Sequence, residues 1–400
     1  MIKYKKIALI VLGCFFFAGV NAQGKYTING KISGPANGMK VYLVKESWPE
    51  IKIVDSTVIQ KNNFQFKGGV TVPSLFSIRI DKTPKGEKSS ERNWLSSRFY
   101  LENSTISYSG HVDSLPPFYY SYKNRPVPPV IKGSATQDEL VRFNESRSSL
   151  SKELAATNKD YLEKYHQPAM EGKFNDQIGL ELGGKVNELS EKLDQQKWKY
   201  IKDNPKSVIA YDQASYYLND MFISLTIPQI DELVKNVRKG WNGTPQMAAL
   251  EKAAAKAKTV ALGTKYKDFE LTTNEGNKVM LSKYIPKGKI VMLEFWASWC
   301  GPCRAEIPHL RELNETRSDQ FSIVSISLDE NEKDWRKAMA DEKMTWTQLV
   351  DFKGFEGEIA QAYNILGIPH SILLDEEGRV IKIGLRGAFL DIELNKLKKS

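Results

Sequence analysis

Ile290-Val291-Met292-Leu293-Glu294-Phe295-Trp296-Ala297-Ser298-Trp299-Cys300-Gly301-Pro302-Cys303 decides how the rest of the chain is read. Its first seven residues are apolar apart from Glu294. That is the pattern of a strand buried on both faces. Cys300 and Cys303, two residues apart, then fall where the strand hands over to a helix. The only other cysteine, Cys14, lies in a segment expected to be removed. One dithiol at a strand-to-helix junction points to redox chemistry. Zinc is the weaker reading, because a structural site needs four ligands. No second cysteine pair exists, and His111, His166, His309 and His370 are scattered without ligand spacing.

Working outward, the N-terminus carries an export pattern. Lys3, Lys5 and Lys6 precede the apolar run from Ile7 to Val20, and Val20-Asn21-Ala22 offers a small-residue cleavage site. Residues 1–22 are therefore expected to be a signal peptide cut after Ala22. A lipid anchor on Cys14 and an uncleaved anchor stand as alternatives, so a membrane tether stays open. The run is short of the ~20 apolar residues of a comfortable span, and no other run is longer. Cleavage would remove three lysines and no acid, lowering the formal charge of +9 to +6. The charges are interspersed, which argues for solubility and against nucleic acid as a partner. With one dithiol, no structural disulfide is expected, as suits a chain able to bury a large core.

The 400 residues imply two or three domains. Residues 24–132 read as an antiparallel β module, sandwich or barrel. Tyr26 to Ile32, Lys40 to Val44 and Ser77 to Ile80 alternate, and Asn62 to Lys67 follows a turn. Residues 134–258 read as a central α-helical segment. Ser134 to Gln137 caps its start, and Leu140, Phe143, Leu150, Leu154, Val186, Leu189 and Leu193 keep helical spacing. Asn204-Pro205 interrupts it, and Pro228 opens a later helix. This segment holds no acid pair, nucleophile set or metal spacing, and reads as a packing and spacing element. Residues 262–400 alternate strand and helix, with apolar runs at Ile290 to Trp296, Phe321 to Leu328 and His370 to Asp375, the signature of a sheet covered by helices.

On these residues the third unit resembles a thioredoxin-fold domain, and more narrowly the exported TlpA/ResA-like thiol-disulfide oxidoreductases. Phe295 to Cys303 is similar to their active-site signature. Pro308 matches a helix proline, Gly367-Ile368-Pro369 a loop bearing a cis-proline, and Leu373 to Gly378 the hairpin beyond it. Asp329 to Tyr363 looks like the insertion of this branch. The order of β module, helical segment and C-terminal redox domain also looks like exported proteins of Bacteroidetes-type bacteria, whose N-terminal module has no settled function.

The resemblance implies a periplasmic protein-disulfide reductase without a cofactor. Cys300 is the expected attacking thiol, favoured as thiolate by the helix N-terminus, and Cys303 resolves the mixed disulfide. Gly301-Pro302 matches thioredoxin itself, a reductant at about −270 mV. Glu294, six residues before Cys300, occupies the spacing of the fold's buried acid and is expected to take the proton of Cys303. A strand-end Glu reaching solvent is the alternative. Ile368-Pro369 is expected to be cis and to leave backbone groups free for an extended client. Trp296 and Trp299 are expected to shape an apolar rim rather than take part in chemistry. His370 follows, either tuning Cys300 or simply packed. Expected partners are disulfide-bearing exported proteins, with a membrane thiol transporter as electron donor. A peroxidase is disfavoured, since Ala297 and Leu293 stand where such enzymes carry Thr or Ser and Pro. A partner-binding protein with an accessory redox domain, and a dimeric disulfide isomerase, remain as alternatives.

Overall fold

The computed structural model describes residues 24–46, 51–119 and 126–398. The expected signal peptide and Cys14 lie outside these. The chain divides into two units, 1–143 and 144–400.

In the first unit, β1 (Tyr26–Ser33), β2 (Lys40–Glu46), β3 (Ile51–Val58), β4 (Asn63–Gly68), β5 (Ser74–Asp81), β6 (Trp94–Leu101), β7 (Thr105–His111) and β8 (Val130–Lys132) form two four-stranded sheets, β4-β1-β7-β8 and β3-β2-β5-β6. The pairings are antiparallel except β1 with β7, which run parallel. Alternation drives the fold: Ile28, Phe66 and Ile106 from one sheet meet Val41, Leu43, Ile78 and Phe99 from the other in one core. Helix α1 (Ala135–Glu145) starts as its sequence suggests, with Ser134 Oγ accepting from the Gln137 amide.

The second unit begins with helices α2 (Ser148–Tyr161), α3 (Gln167–Met170), α4 (Asp176–Asp203), α5 (Val208–Asn219), α6 (Ile227–Trp241) and α7 (Pro245–Lys258). Side chains of Asn175, Ser207, Thr226 and Thr244 cap α4 to α7. Asn204, ahead of Pro205, ends α4.

The chain then builds β9 (Glu270–Thr273), β10 (Lys278–Met280), β11 (Ile290–Trp296), α8 (Gly301–Thr316), β12 (Phe321–Ser327), α9 (Glu332–Asp341), β13 (Thr347–Val350), α10 (Glu358–Ala362), β14 (His370–Leu374), β15 (Val380–Ile383) and α11 (Ala388–Leu397). The sheet order is β10-β9-β13-β12-β11-β14-β15, with β11 flanked by parallel β12 and antiparallel β14. The sequence also predicts a strand over Val279 to Leu281, but it stops at Met280 and Leu281 opens a 3-10 helix. The sequence predicts one helix over Phe355 to Ala362; the chain divides it at Gly357, whose extended backbone separates a 3-10 turn from α10.

The pleat sorts β11 by face. Met292 and Trp296 join α8, α9 and α11 in one core, while Val291, Leu293 and Phe295 join α10 and β9 in another. The helical region grips this sheet at its β15 end. Tyr161, Tyr165 and Leu182 pack on Ala388 and Phe389 of α11. The free edge of β15 is covered as well: Val380 N–H donates to Thr264 O at 2.8 Å, and Ile383 N–H donates to Ser224 Oγ at 3.0 Å. Covering an edge in this way removes a template for wrong strand pairing.

Candidate active site

β11 delivers its C-terminal end to a short turn held by a buried acid. Asp329, two residues past the end of β12, is 1% exposed. Its carboxylate accepts from Ser298 N–H at 2.9 Å, Ser298 O–H at 2.5 Å and Ser327 O–H at 2.6 Å. Leu328 N–H donates to Trp296 O, and Cys300 N–H to Ala297 O. The residues on either side of the turn are thus tied to β12, and Cys300 emerges in one place.

Cys300 is the N-cap of α8. Its Sγ accepts from the Cys303 amide at 3.2 Å, and Arg304 N–H donates to its carbonyl. The two sulfurs are joined as a disulfide. Both side chains are buried, Cys303 completely. Backbone N–H groups and the helix dipole favour negative charge at Cys300 Sγ once the disulfide opens. Gly301 and Pro302 form the exposed first turn of α8. Trp299 is 61% exposed, and its ring lies 6.4 Å from Phe355; Trp296, expected at the rim as well, points instead into the core with both cysteines and is fully buried.

Glu294 sits in mid-strand at 4% exposure. Alternation puts it on the face of Met292 and Trp296, the face whose core contains Cys300 and Cys303. It is therefore not a strand-end Glu reaching solvent. Burial raises its pKa; a Ser325 hydrogen bond opposes the rise, the Glu306 charge adds to it, and the result is about 8. Oε2 has no hydrogen-bond partner among the described residues. Ser325 itself accepts from Trp346 Nε1 at 2.9 Å.

The Ile368–Pro369 bond is cis, the geometry expected from the sequence. The β11–β14 register ends with Phe295 opposite His370, so the loop before β14 lies at the end of the sheet where β11 runs into the dithiol turn. Ile368 packs against the core holding both cysteines. His370 itself is buried on the other face with Phe295 and Phe222. Burial, with the Arg386 charge, lowers its pKa to about 4, so it is neutral at physiological pH. Facing away, it is a packed histidine.

Sequence reasoning singled out Cys300, Cys303, Glu294, Trp299, Gly301, Pro302, Ile368 and Pro369; all but Glu294 lie at the C-terminal end of β11, and Glu294 lies within the strand on the face of the cysteines. The same reasoning missed Asp329, Ser298, Ser325 and Trp346 as site supports. An acid directly after an apolar run, and a serine within one, were the available signals. The reach of the helical region to α8 was also unread. The Tyr161 hydroxyl bonds to the backbone of Ala388, Gly387 N–H donates to Glu306 at 3.2 Å, and His309 pairs with Asp391 at 3.0 Å. The helix that carries the dithiol is thereby joined to α11, and α11 to the helical region.

A model of the AhpC/TSA family matches residues 262–383, and a model of a domain of unknown function, DUF4369, matches residues 26–140. The thioredoxin-like protein YneN of Bacillus subtilis is 36% identical over 119 residues, covering 29% of this chain and 66% of YneN. The thiol-disulfide oxidoreductase ResA of Bacillus cereus is 31% identical over 129 residues, or 32% of this chain and 72% of ResA. A solved thiol-disulfide oxidoreductase from Bacteroides fragilis is 31% identical with a TM-score of 0.32, covering 34% of this chain and 99% of that one. The match to ResA, with its identity and its share of ResA's length, carries the assignment: the chain belongs to the ResA family of thiol-disulfide oxidoreductases.

Proposed function

We propose that this enzyme is an exported, periplasmic protein-disulfide reductase that acts through Cys300 and Cys303. The observation that carries the reading is the placement of Cys300 as the N-cap of α8, with Cys303 sealed one turn behind it. Export is supported by the charged and apolar N-terminal stretch. No helix among the described residues is long and apolar enough to cross a membrane.

The reaction begins from the reduced enzyme. The Cys300 thiolate attacks one sulfur of a client disulfide. A Cys300–client S–S bond forms, the client S–S bond breaks, and the released client thiolate takes up a proton. Glu294 then accepts the Cys303 proton on Oε2. Cys303 attacks Cys300 Sγ, forming the enzyme disulfide and expelling the second client sulfur as a thiolate, which is protonated in turn. Two electrons pass from the enzyme dithiol to the client, and a membrane thiol transporter would return them. A carboxyl whose pKa lies at about 8 holds its proton loosely enough near neutrality to run this transfer both ways. Ile368, Pro369, Trp299, Gly301 and Pro302 form the client-facing rim. Reduction as the net direction is supported by the Gly301-Pro302 pair. Peroxidase chemistry, which the AhpC/TSA match brings to mind, is not supported by Ala297 and Leu293.

The test is turnover of an insulin disulfide by the mature chain, with a small dithiol supplied as the electron donor. Reduction is expected, with complete loss in Cys300→Ser and accumulation of client-linked enzyme in Cys303→Ser. Equal turnover by wild type and Cys300→Ser, or trapping on neither variant, overturns the reading. Consumption of hydrogen peroxide without insulin reduction would replace it by a peroxidase.

A further inference from the structure

The segment between α5 and α6, residues 220–225, belongs to the helical region but lies against the loop that presents Ile368 and Pro369. A Cβ placed on Gly367 would stand 3.2 Å from Met221 Cε, so the missing side chain makes room for the methionine. One residue on, a Cβ on Gly384 would meet the Phe222 ring at 2.9 Å. Phe222 also lies 5.6 Å from the His370 ring. The segment is pinned along its length. Phe222 N–H donates to Asp220 Oδ1, Ile383 N–H to Ser224 Oγ, and Leu262 N–H to Leu225 O.

Packing uses only one side of Phe222, which stays 45% exposed. Leu366, two residues before Ile368, is 63% exposed. Ile368 packs on the core that holds both cysteines, Gly367 precedes it, and Met221 adjoins Gly367, with Phe222 next in the chain. Met221 and Phe222 thus follow the loop that carries Ile368, with Phe222 on its far side against His370, and open apolar side chains continuous with such a loop can serve as a binding surface.

We propose that Met221 and Phe222 are specificity determinants. They extend the client surface to hold apolar side chains of an extended polypeptide flanking the client disulfide. The occupant follows from continuity with the exchange site. A chain paired beside Ile368 and continuing past Gly367 meets Met221 and then Phe222, and only an unfolded or misoxidised client offers an extended apolar segment there. Native clients bury such residues, and small disulfides lack them. The substrate class is therefore non-native proteins, chosen in part by the helical region. The inference rests on Cys300 being the exchanging thiol.

The experiment compares kcat/KM of the mature chain for misoxidised ribonuclease and for oxidised glutathione, with one small dithiol as electron donor in both assays. In Phe222→Ser and Met221→Ser the ratio of protein to small-disulfide kcat/KM is expected to fall about 5- to 30-fold, the loss typical of one good apolar interface contact. Phe222→Leu is expected to restore most of it. A ratio that stays at the wild-type value, whether both activities hold or both fall together, overturns the proposal and leaves the segment a packing element. Full turnover in Cys300→Ser would instead overturn the exchange reading beneath it.

Discussion

Glu46 in the first unit and Glu294 in the second are both glutamates with nearly buried side chains at β-sheet positions, and they differ in every partner. Glu46 accepts from Arg79 at 2.9 Å and from Ser77 at 2.6 Å, with Arg98 at 3.6 Å. Burial pushes its pKa up, but the Ser77 and Arg79 hydrogen bonds and the arginine charges outweigh that, and the net shift is downward. Glu294 faces no cation, only the Ser325 hydroxyl and the charge of Glu306, and its pKa rises to about 8. Burial alone says nothing about role; the partner decides. Supplied with a guanidinium, a buried acid is a fixed charge that holds strands together. Left without one, in the core that also holds the dithiol, it is the acid proposed above to carry a proton.

Breaking the Glu46 pair is expected to give the largest effect. Arg79→Met leaves a carboxylate buried against the weaker Arg98 contact, and should destabilise the first unit by about 3 kcal/mol in urea unfolding. Disulfide exchange by the folded enzyme should not change. Replacing both partners, as Glu46→Gln with Arg79→Met, should recover most of the loss, because no charge is then stranded. If the single variant slows exchange while the protein stays folded, the separation of roles drawn here fails.

Glu294→Gln is the converse. It keeps the volume and the Ser325 contact but cannot take a proton. Resolution of the mixed disulfide should slow by about 100-fold near neutral pH, the usual size of a proton-transfer contribution, while the fold is retained. Stopped-flow Trp fluorescence from about pH 6 to about pH 9 reads it. Wild type should inflect near the Glu294 pKa of about 8, and the variant should not.

The local supports of the dithiol give a smaller effect. Asp329→Asn retains one carbonyl acceptor where the carboxylate oxygens take three hydrogen bonds. Weakening a charge-assisted hydrogen bond should remove about 1.5 kcal/mol of stability. Exchange should slow only a few-fold. Faster amide hydrogen exchange at Ser298 to Cys300 checks that the loosening is local.

The contrast between these acids also marks how far the sequence could be read. Glu294 was visible as the one polar residue in Ile290 to Trp296, and its burial follows from that run alone. Ser325 and Trp346 were not, because they reach Glu294 only through the pairing of β11 with β12, and no spacing in one chain announces a long-range register. Glu46 was unreadable for the same reason: Arg79 lies 33 residues away, on a strand whose pairing with β2 brings them together. The β module's alternation gave β1, β2, β4 and β5, whereas β3 is exposed along nearly all its length and offers no alternating burial to detect. The helical region's periodicity was legible, but its two grips on the sheet, Tyr161 on α11 and Phe222 on His370, depend on tertiary contact alone.

The smallest expected effect is a slope. Below the ordinary value of 4.5, Glu294 is protonated in both the folded and unfolded states. Between 4.5 and about 8 the folded chain keeps a proton that the unfolded chain has released. The folded state then binds more protons, so raising pH destabilises it until the folded pKa is passed. His370 runs the other way in a lower window. Its pKa falls from 6.5 to about 4, so the unfolded chain takes up a proton first and stability drops as pH falls below 6.5. From about pH 6.5 to about pH 7.5 the Glu294 slope therefore stands clear of His370 and should amount to about 1 kcal/mol in urea unfolding of the second unit. The oxidised enzyme is the right form for the measurement, because cysteines joined as a disulfide do not titrate. Subtracting the Glu294→Gln curve isolates the contribution. The same subtraction with Glu46→Gln should show no such decline, since a carboxyl with a lowered pKa releases its proton in both states well below this window. Parallel curves for wild type and Glu294→Gln would mean that Glu294 is ionised where it sits, and the distinction between the two glutamates would disappear.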